Sequence, residues 1–319
     1  MSDSASTTTI AVQVRSRRSL TDRIDEFTLT PVDGEALPAW TAGSHIDVTS
    51  PGGIIRQYSL CSSVDDLTGY RVAVEHRDDS RGGSASIHAS LNVGDTTDIG
   101  APRNHFPLTR ALEYVFVAGG VGITPILALI EATELFGRPW RLIYSGRTIT
   151  EMAYAAELAA RHPDRVTIQE TSVSGRVDFT AALTDLPPGT AVYVCGPPAM
   201  VTDVTAACVD LRAVDVFAEK FVATGEETLA NTAFEVDLAM SGLTTVVPED
   251  KTILDVLDDA GVVTVSSCRD GICGTCEVGV VSGEVDHRDT VLTPEERAEN
   301  ESMMICVSRC TSGRLVLEL

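Results

Sequence analysis

The sequence has no run of about 18 apolar residues, the minimum length for a membrane-spanning helix. Its first residues, MSDSASTTTIAVQVRSRRSL, lack the apolar segment after a basic start that marks a secretory signal peptide. Both absences predict a cytoplasmic protein that does not enter a membrane. Cysteines in that compartment stay reduced or bind metal rather than form disulfides.

Basic side chains are scarce. The 319 residues contain 24 Lys and Arg against 46 Asp and Glu, which gives a net charge of −22. Residues 226–319 alone hold 19 acidic and 6 basic side chains, so more than half of the acidic excess lies in this last part. A nucleic-acid partner is not expected, because phosphate binding needs positive charge. The acidic surface is either a solvated face or a docking surface for a basic electron acceptor.

The sequence has eight cysteines, and its strongest motif is built from them. Cys268, Cys273 and Cys276 have the spacing C-x4-C-x2-C, and Cys306 and Cys310 follow at a distance. Plant-type [2Fe–2S] clusters have this spacing, with four thiolates holding two irons. Structural zinc usually takes two C-x2-C pairs and only one is present, so zinc and plain buried thiols are the weaker alternatives.

The fourth cluster ligand is either Cys306 or Cys310. We predict Cys306, because it follows the apolar run MMI and precedes the terminal strand RLVLEL. Gly271 and Gly274 give the loop the freedom to bend around a cluster. Three cysteines lie far from this segment, namely Cys61, Cys195 and Cys208.

Residues 10–107 contain short alternating segments broken by Gly, Pro and Asp, which predict a small antiparallel β-barrel. Within this region lies Arg56-Gln57-Tyr58-Ser59, followed later by Arg81-Gly82-Gly83-Ser84 at the start of a predicted helix. An arginine beside a glycine-rich helix N-terminus is suited to a phosphate monoester. Tyr58 and Ser59 should face opposite sides of their strand. A tyrosine on a strand is also typical of a core.

Strands and helices alternate over residues 113–222, which predicts a parallel sheet. The turn Gly119-Gly120-Val121-Gly122 ends a buried strand, with Thr124 as the predicted helix N-cap and Pro125 as the first helical residue. This turn is not a strict G-x-G-x-x-G fingerprint. Cys195-Gly196-Pro197 ends a second strand in the same way. Two such turns in an open parallel sheet line one crevice, although a single turn is equally typical of a tight connection.

Arg147 follows the predicted strand WRLIYSG, where it could meet the 2′-phosphate of NADPH. A single arginine without basic neighbours is a weak phosphate signal. We therefore predict NADH as the nucleotide.

Taken in this order, the motifs resemble the phthalate dioxygenase reductase family, within the ferredoxin–NADP reductase superfamily. The resemblance spans essentially the whole chain and implies a multi-domain protein. A flavin-binding antiparallel β-barrel would occupy residues 1–108 and an α/β parallel-sheet nucleotide domain residues 109–224. A linker at 225–232 would lead to an α+β (β-grasp) plant-type ferredoxin domain at 233–319.

The resemblance also implies roles for individual residues. The implied FMN ligands are Arg56, Gln57, Tyr58, Ser59, Arg81, Gly82, Gly83 and Ser84. The implied NADH ligands are Gly119, Gly120, Gly122, Thr124, Pro125, Arg147, Cys195, Gly196 and Pro197. Ser59, Cys195 and Phe221 would lie at the reacting rings, and Phe221 equally fits a packed linker aromatic. FMN is preferred to FAD because no adenine-binding segment is evident.

The implied function is that of the reductase component of an oxygenase system. NADH gives two electrons together, whereas a [2Fe–2S] cluster accepts one at a time, so flavin must convert between them. The chain has no Rieske C-x-H…C-x2-H pattern. Its electrons would therefore pass, from a monomer, to a separate Rieske oxygenase or O-demethylase, or to a cytochrome P450. The alternatives are a stand-alone NADH diaphorase or flavin reductase, and an iron–sulfur redox sensor.

Overall fold

The computed structural model describes residues 9–77, 82–221, 230–266, 268–269 and 271–319. The chain divides into two compact units, Met1–Glu219 and Lys220–Leu319. Among the described residues, none of the helices combines the length and the apolar character needed to cross a bilayer. The predicted boundaries of three domains and a linker stay a prediction, and most of the linker lies outside the described residues.

The first unit begins with an antiparallel sheet that closes into a barrel. Its strands are β1 (Thr9–Ser19), β2 (Ile24–Pro31), β3 (Ser44–Thr49), β4 (Ile55–Ser59), β5 (Tyr70–Glu75), β6 (Thr96–Gly100) and β7 (Arg103–Asn104), with helix α1 (Gly83–Ser90) after β5. The strand order is β4-β3-β6-β1-β2-β5, and β7 pairs with β3. Leu60, directly after β4, forms an antiparallel bridge with Val72 of β5. This bridge joins the two ends of the order, as a closed barrel requires.

A parallel sheet forms the rest of the first unit. Its strands are β8 (Glu113–Gly119), β9 (Trp140–Gly146), β10 (Val166–Glu170), β11 (Thr190–Cys195) and β12 (Val214–Glu219). Its helices are α2 (Ile123–Leu135), α3 (Ala155–Arg161), α4 (Thr171–Ser174), α5 (Phe179–Leu183) and α6 (Pro198–Cys208), with 3₁₀ turns at Gly120–Gly122 and Ile149–Glu151. The strand order is β10-β9-β8-β11-β12. All neighbours in this sheet are parallel. Successive strands are added on one side of β8 as far as β10 and then on its other side from β11, so the ligand crevice is expected at the carboxyl ends of β8 and β11.

A buried polar cluster joins the barrel to the parallel sheet. The Tyr154 hydroxyl, just before α3, donates to Glu26 Oε2 on β2 at 2.8 Å. Arg71 Nη1 lies 3.5 Å from the same carboxylate oxygen, and the Arg18 guanidinium lies 5.8 Å from the Tyr154 ring centroid. Burial raises the pKa of Tyr154, so its hydroxyl stays a donor. The cluster fixes the barrel against the edge of the sheet.

The second unit is a mixed sheet with one packed helix. Its strands are β13 (Phe234–Leu238), β14 (Thr244–Val247), β15 (Glu277–Ser282), β16 (Val285–Asp286), β17 (Ser302–Met304), β18 (Arg309–Cys310) and β19 (Arg314–Leu317), and its helices are α7 (Ile253–Asp259) and α8 (Pro294–Glu299). The order in the main sheet is β14-β13-β19-β15-β17, with β13 and β19 parallel and the other neighbours antiparallel. Strands β16 and β18 form a separate two-stranded antiparallel sheet. Ile253, Leu254 and Leu257 of α7 are buried in the core of this sheet. The predicted fold class, with barrel, parallel α/β sheet and β-grasp ferredoxin, is confirmed.

Candidate cofactor sites

Strand β4 carries the predicted flavin residues beside β3. The register pairs Ser59 with His45 and Gln57 with Asp47, and Gln57 Nε2 donates to Asp47 Oδ1 at 3.3 Å. Ser59 is buried, whereas Tyr58 is only partly covered at the surface. Desolvation raises the pKa of the Tyr58 phenol, which therefore stays protonated. Because neighbours on a strand alternate, Tyr58 and Ser59 face opposite sides.

Arg56 lies directly against the first turn of α1. A Cβ atom on Gly83 would stand 2.7 Å from Arg56 Cγ and 3.1 Å from its Nε. Gly82 precedes the helix with φ 89, a left-handed conformation that favours glycine, and the first turn holds no acidic residue. One guanidinium beside the glycine-led N-terminus of a helix fits a phosphate monoester. Ser84 is buried in this turn, and Arg81 lies outside the described residues.

The two glycine turns predicted to share a crevice lie against each other at the carboxyl ends of β8 and β11. A Cβ atom on Gly122 would stand 2.3 Å from the Cys195 carbonyl oxygen, and one on Gly119 would stand 2.6 Å from Pro197 Cδ. A Cβ atom on Gly196 would stand 3.0 Å from Gly119 Cα. Side chains at these positions would separate the turns, so glycine keeps the crevice closed at its base.

Helix α2 begins earlier than the sequence predicts. The 3₁₀ turn Gly120–Gly122 runs directly into a helix that starts at Ile123. Thr124 is therefore not the N-cap, and its hydroxyl donates to the Val121 carbonyl at 3.0 Å from inside the first turn. Pro125 is the third helical residue, not the first. The prediction was wrong because the 3₁₀ turn at the glycines leads directly into the helix, and Pro125 still fits since first-turn amides need no intrahelical partner.

Cys195 lies at this crevice and is fully buried, with its Sγ 3.9 Å from Glu219 Oε2 on the neighbouring β12. Burial, together with that carboxylate, raises the pKa of the Cys195 thiol. Burial also raises the pKa of Glu219 to about 8. Both groups are therefore largely neutral near pH 7, and Cys195 is not an activated nucleophile.

Two further predicted residues are Arg147 and Phe221. Arg147 is exposed just after β9, and its backbone carbonyl accepts from the Ser172 amide at 3.1 Å. Phe221 is the last residue described before the gap at 222–229 and belongs to the second compact unit. Its role at the flavin and the role of Arg147 toward the nucleotide stay predictions.

Two further side chains contact the glycine turns. The Tyr144 hydroxyl, on β9, donates to the Gly120 carbonyl at 3.0 Å. The Met200 sulfur would stand 2.9 Å from a Cβ atom on Gly119 or on Gly196. Met200 belongs to the motif CGPPAM, which could have indicated it. Tyr144 carries no signal in the sequence, because only the pairing of β8 with β9 brings it to the turn.

Four cysteines of the ferredoxin unit form one buried group, each between 2% and 4% exposed. Contact with Cys268 lowers the pKa of the Cys273 thiol to about 5. Contact between Cys276 and Cys306 lowers the pKa of the Cys276 thiol and raises the pKa of the Cys306 thiol. The nearby Cys268 raises the pKa of Cys306 further. Four buried cysteines, of which Cys268 contacts Cys273 and Cys276 contacts Cys306, are the ligand type and number that a [2Fe–2S] cluster takes.

The fourth position of this group is filled by Cys306. The amide of Gly271, a residue with φ 68, donates to the Cys306 thiol. Cys310 instead lies on β18 opposite Val285, with its Sγ 3.4 Å from Ser312 Oγ. Contact with the other thiols favours Cys306, and the ligand assignment itself stays a prediction.

Comparison with known proteins covers both units. The profile of the 2Fe-2S iron-sulfur cluster binding domain matches residues 236–311, and that of the dimethylamine monooxygenase subunit DmmA-like N-terminal domain matches residues 105–215. The chain is 40% identical to the carnitine monooxygenase reductase subunit of Escherichia coli (strain K12), over 97% of this chain and 98% of that protein.

Solved structures give the same result. Phthalate dioxygenase reductase, described as a modular structure for electron transfer from pyridine nucleotides to [2Fe-2S], matches with a TM-score of 0.79 and 36% identity over 98% of both chains. An intact type IV self-sufficient cytochrome P450 monooxygenase matches with a TM-score of 0.83 and 41% identity over 98% of this chain. This chain spans 41% of that P450 chain, less than half of its length.

The barrel, the parallel sheet with its glycine crevice and the [2Fe–2S]-binding domain define an electron-transfer reductase. The chain belongs to the phthalate dioxygenase reductase family of oxygenase reductases. The predictions of this family and of an iron–sulfur oxidoreductase are thereby confirmed.

We expect Gly122→Ala to weaken nucleotide binding and to destabilise the first unit, because its Cβ atom would collide with the Cys195 carbonyl oxygen. Overpacking of this kind costs about 1–3 kcal/mol. Calorimetric NADH titration and thermal unfolding measure the two effects. Gly52→Ala is the control, since Gly52 is exposed and the atom nearest to its Cβ atom would be the Ser86 hydroxyl oxygen, at 3.2 Å. Equal behaviour of the two variants would contradict the role of Gly122.

Proposed function

We propose that this chain is the reductase component of an oxygenase system and passes electrons from NADH through FMN and a [2Fe–2S] cluster to a separate oxygenase. The observation that carries the proposal is the group of four contacting, buried thiols in a chain similar over nearly its full length to oxygenase reductase subunits. A stand-alone diaphorase would not need that group to accept electrons from the flavin.

At the flavin, Arg56 and the amides of Gly82–Ser84 hold the FMN phosphate by charge and by hydrogen bonds. Tyr58 would pack on the ring system of FMN, and the small buried hydroxyl of Ser59 would lie near its reactive nitrogen. FMN bound there would supply hydride acceptance and single-electron release. Ser59 leaves room there for the nicotinamide, which a larger side chain would fill.

At the nucleotide, the amides of Gly120–Gly122 and the first turn of α2 hold the pyrophosphate. Cys195 and Gly196 line the place of the nicotinamide, where the neutral thiol adds no charge beside the ring. The exposed Arg147 has no basic neighbour in the surrounding sequence SGRTITEM, which favours NADH over NADPH.

Cys268, Cys273, Cys276 and Cys306 hold the cluster, from which electrons leave. Relatives matched over nearly their full length are reductase subunits of monooxygenase and dioxygenase systems, which supports a Rieske oxygenase or O-demethylase on a separate chain as the acceptor. The likeness to part of a P450 chain supports a cytochrome P450 as the second class of acceptor. We place the protein in the cytoplasm, since none of its eight cysteines forms a disulfide. That it acts as a monomer stays a prediction.

Anaerobic addition of NADH should bleach the flavin absorbance first and the visible bands of the cluster next, because the flavin receives the hydride and then supplies single electrons. Stopped-flow absorbance measures the order and the rates. A reduced flavin beside a cluster that stays oxidised would assign the chain to the diaphorases instead.

Cys306→Ser should lose the cluster and keep NADH-dependent dye reduction, because one ligand is removed while the first unit is untouched. Cys310→Ser is the matched control, a neighbouring buried thiol that contacts Ser312 rather than the other cysteines. Iron content and visible absorbance measure both. Full iron in Cys306→Ser with loss in Cys310→Ser would transfer the fourth ligand to Cys310.

Electron transfer to the oxygenase should slow as salt rises, because the acidic ferredoxin unit and a basic acceptor attract each other across a distance that salt screens. The second-order rate constant measured between about 0.02 and 0.5 M NaCl tests this, a range over which the Debye length falls severalfold. Reduction of a small neutral dye serves as the control. A rate to the oxygenase that does not change with salt would leave the acidic charge without a role in docking.

A further inference from the structure

The segment between β16 and α8 is folded around the carboxylate of Asp289, which is 3% exposed. Asp289 Oδ2 accepts from the amides of Val291 and Leu292 at 3.0 and 2.9 Å. Its Oδ1 accepts from the Ser308 hydroxyl at 3.3 Å. The carboxylate therefore joins its own turn to the chain just after Cys306.

The groups around this buried carboxylate keep it ionised. His287 Nδ1 lies 3.7 Å from Asp289 Oδ1, and the Arg297 guanidinium donates to the Asp289 carbonyl. Burial works against ionisation, but the nearby His287 side chain, the hydrogen bonds from the amides of Leu292 and Val291 and the charge of Arg297 lower the pKa of Asp289 to about 2. A buried carboxylate is expensive to desolvate unless it is paired in this way. None of these groups is one of the four cysteines.

The turn held by Asp289 contacts the cysteine loop at Gly271. The Thr290 amide donates to the Gly271 carbonyl at 2.8 Å. A Cβ atom on Gly271 would stand 2.5 Å from Val307 Cγ2 and 3.1 Å from Asp289 Cα, so the two segments approach as closely as glycine allows. The amide of the same Gly271 donates to the Cys306 thiol.

We propose that Asp289 is a positioning residue for the iron–sulfur centre: it holds the turn whose Thr290 amide fixes the Gly271 peptide and so aims the Gly271 amide at Cys306. The inference rests on the proposed cluster ligands. Hydrogen bonds to cluster sulfurs tune its reduction potential, and groups that orient metal ligands influence how firmly the metal is held. Loss of this amide bond would disfavour the more negative, reduced state.

Asp289→Asn is the test, because an amide of equal size introduces an N–H group where two backbone amides and a hydroxyl now donate. Iron should be lost to a chelator about 10–100-fold faster, the usual cost of removing an outer-shell partner. The midpoint potential should become more negative, and the EPR g-values of the reduced cluster should change. Ser308→Ala removes one donor and should shift the same readouts in the same direction by less.

Asp237→Asn is the matched control, a carboxylate of the same unit bound to Thr244 and Arg314 at the β13–β14 edge of the sheet. It should behave as wild type. Wild-type values in Asp289→Asn, or equally fast iron loss in Asp237→Asn, would overturn the proposal while leaving the proposed function intact. If Asp289→Asn assembles no cluster, unchanged values in Ser308→Ala overturn it. A wild-type chain that binds no iron refutes both.

Discussion

The nucleotide site depends on one close approach of backbone to backbone. Parallel pairing sets the ends of β8 and β11 side by side, and the chain must leave both strands at the same edge of the sheet. The turns meet there because nothing larger than hydrogen extends from Gly122 toward the Cys195 carbonyl. Tyr144 then fixes the outer side of the first turn through the Gly120 carbonyl. The strand order places the crevice between the ends of β8 and β11, and the glycines let the two turns lie in contact at its base.

Neighbouring groups shift the thiol pKa of the buried cysteines of this chain in opposite directions. Cys195 has a carboxyl neighbour and no donor of positive charge in contact, so burial and Glu219 raise its thiol pKa. Cys273 is also buried, but contact with Cys268 stabilises its thiolate and lowers its pKa. Cysteine thus provides a neutral thiol beside the proposed site of hydride transfer and thiolate ligands at the proposed iron–sulfur cluster. Neighbours decide the role, as they do for titratable groups generally.

Sequence patterns predicted the features that are local along the chain. The cysteine spacing, both glycine turns and the helix after Gly82 each lie within a short segment, and each occurs as expected. Contacts between distant segments were not predictable: the turn that contains Asp289 and Thr290 meets Gly271 of the cysteine loop only in the folded chain. The predicted N-cap at Thr124 was wrong for a local reason. The 3₁₀ turn at Gly120–Gly122 runs directly into α2, although glycine has a low helix propensity.

Most basic side chains of the ferredoxin unit are paired within the unit, which affects the field that its acidic side chains present to a partner. Six basic side chains of residues 230–319 are engaged within the unit: Lys251 with Asp259, Arg269 with Asp255 and Asp258, Arg288 with Asp286, Arg314 with Asp237, and Arg297 and Arg309 with backbone carbonyls. Exposed ion pairs add little stability, but they hold Lys251, Arg269, Arg288 and Arg314 beside carboxylates. Over residues 226–319 acidic side chains outnumber basic ones by 19 to 6. An approaching acceptor therefore meets a negative field that the unit's own cations do not offset, which favours a basic docking face on the oxygenase.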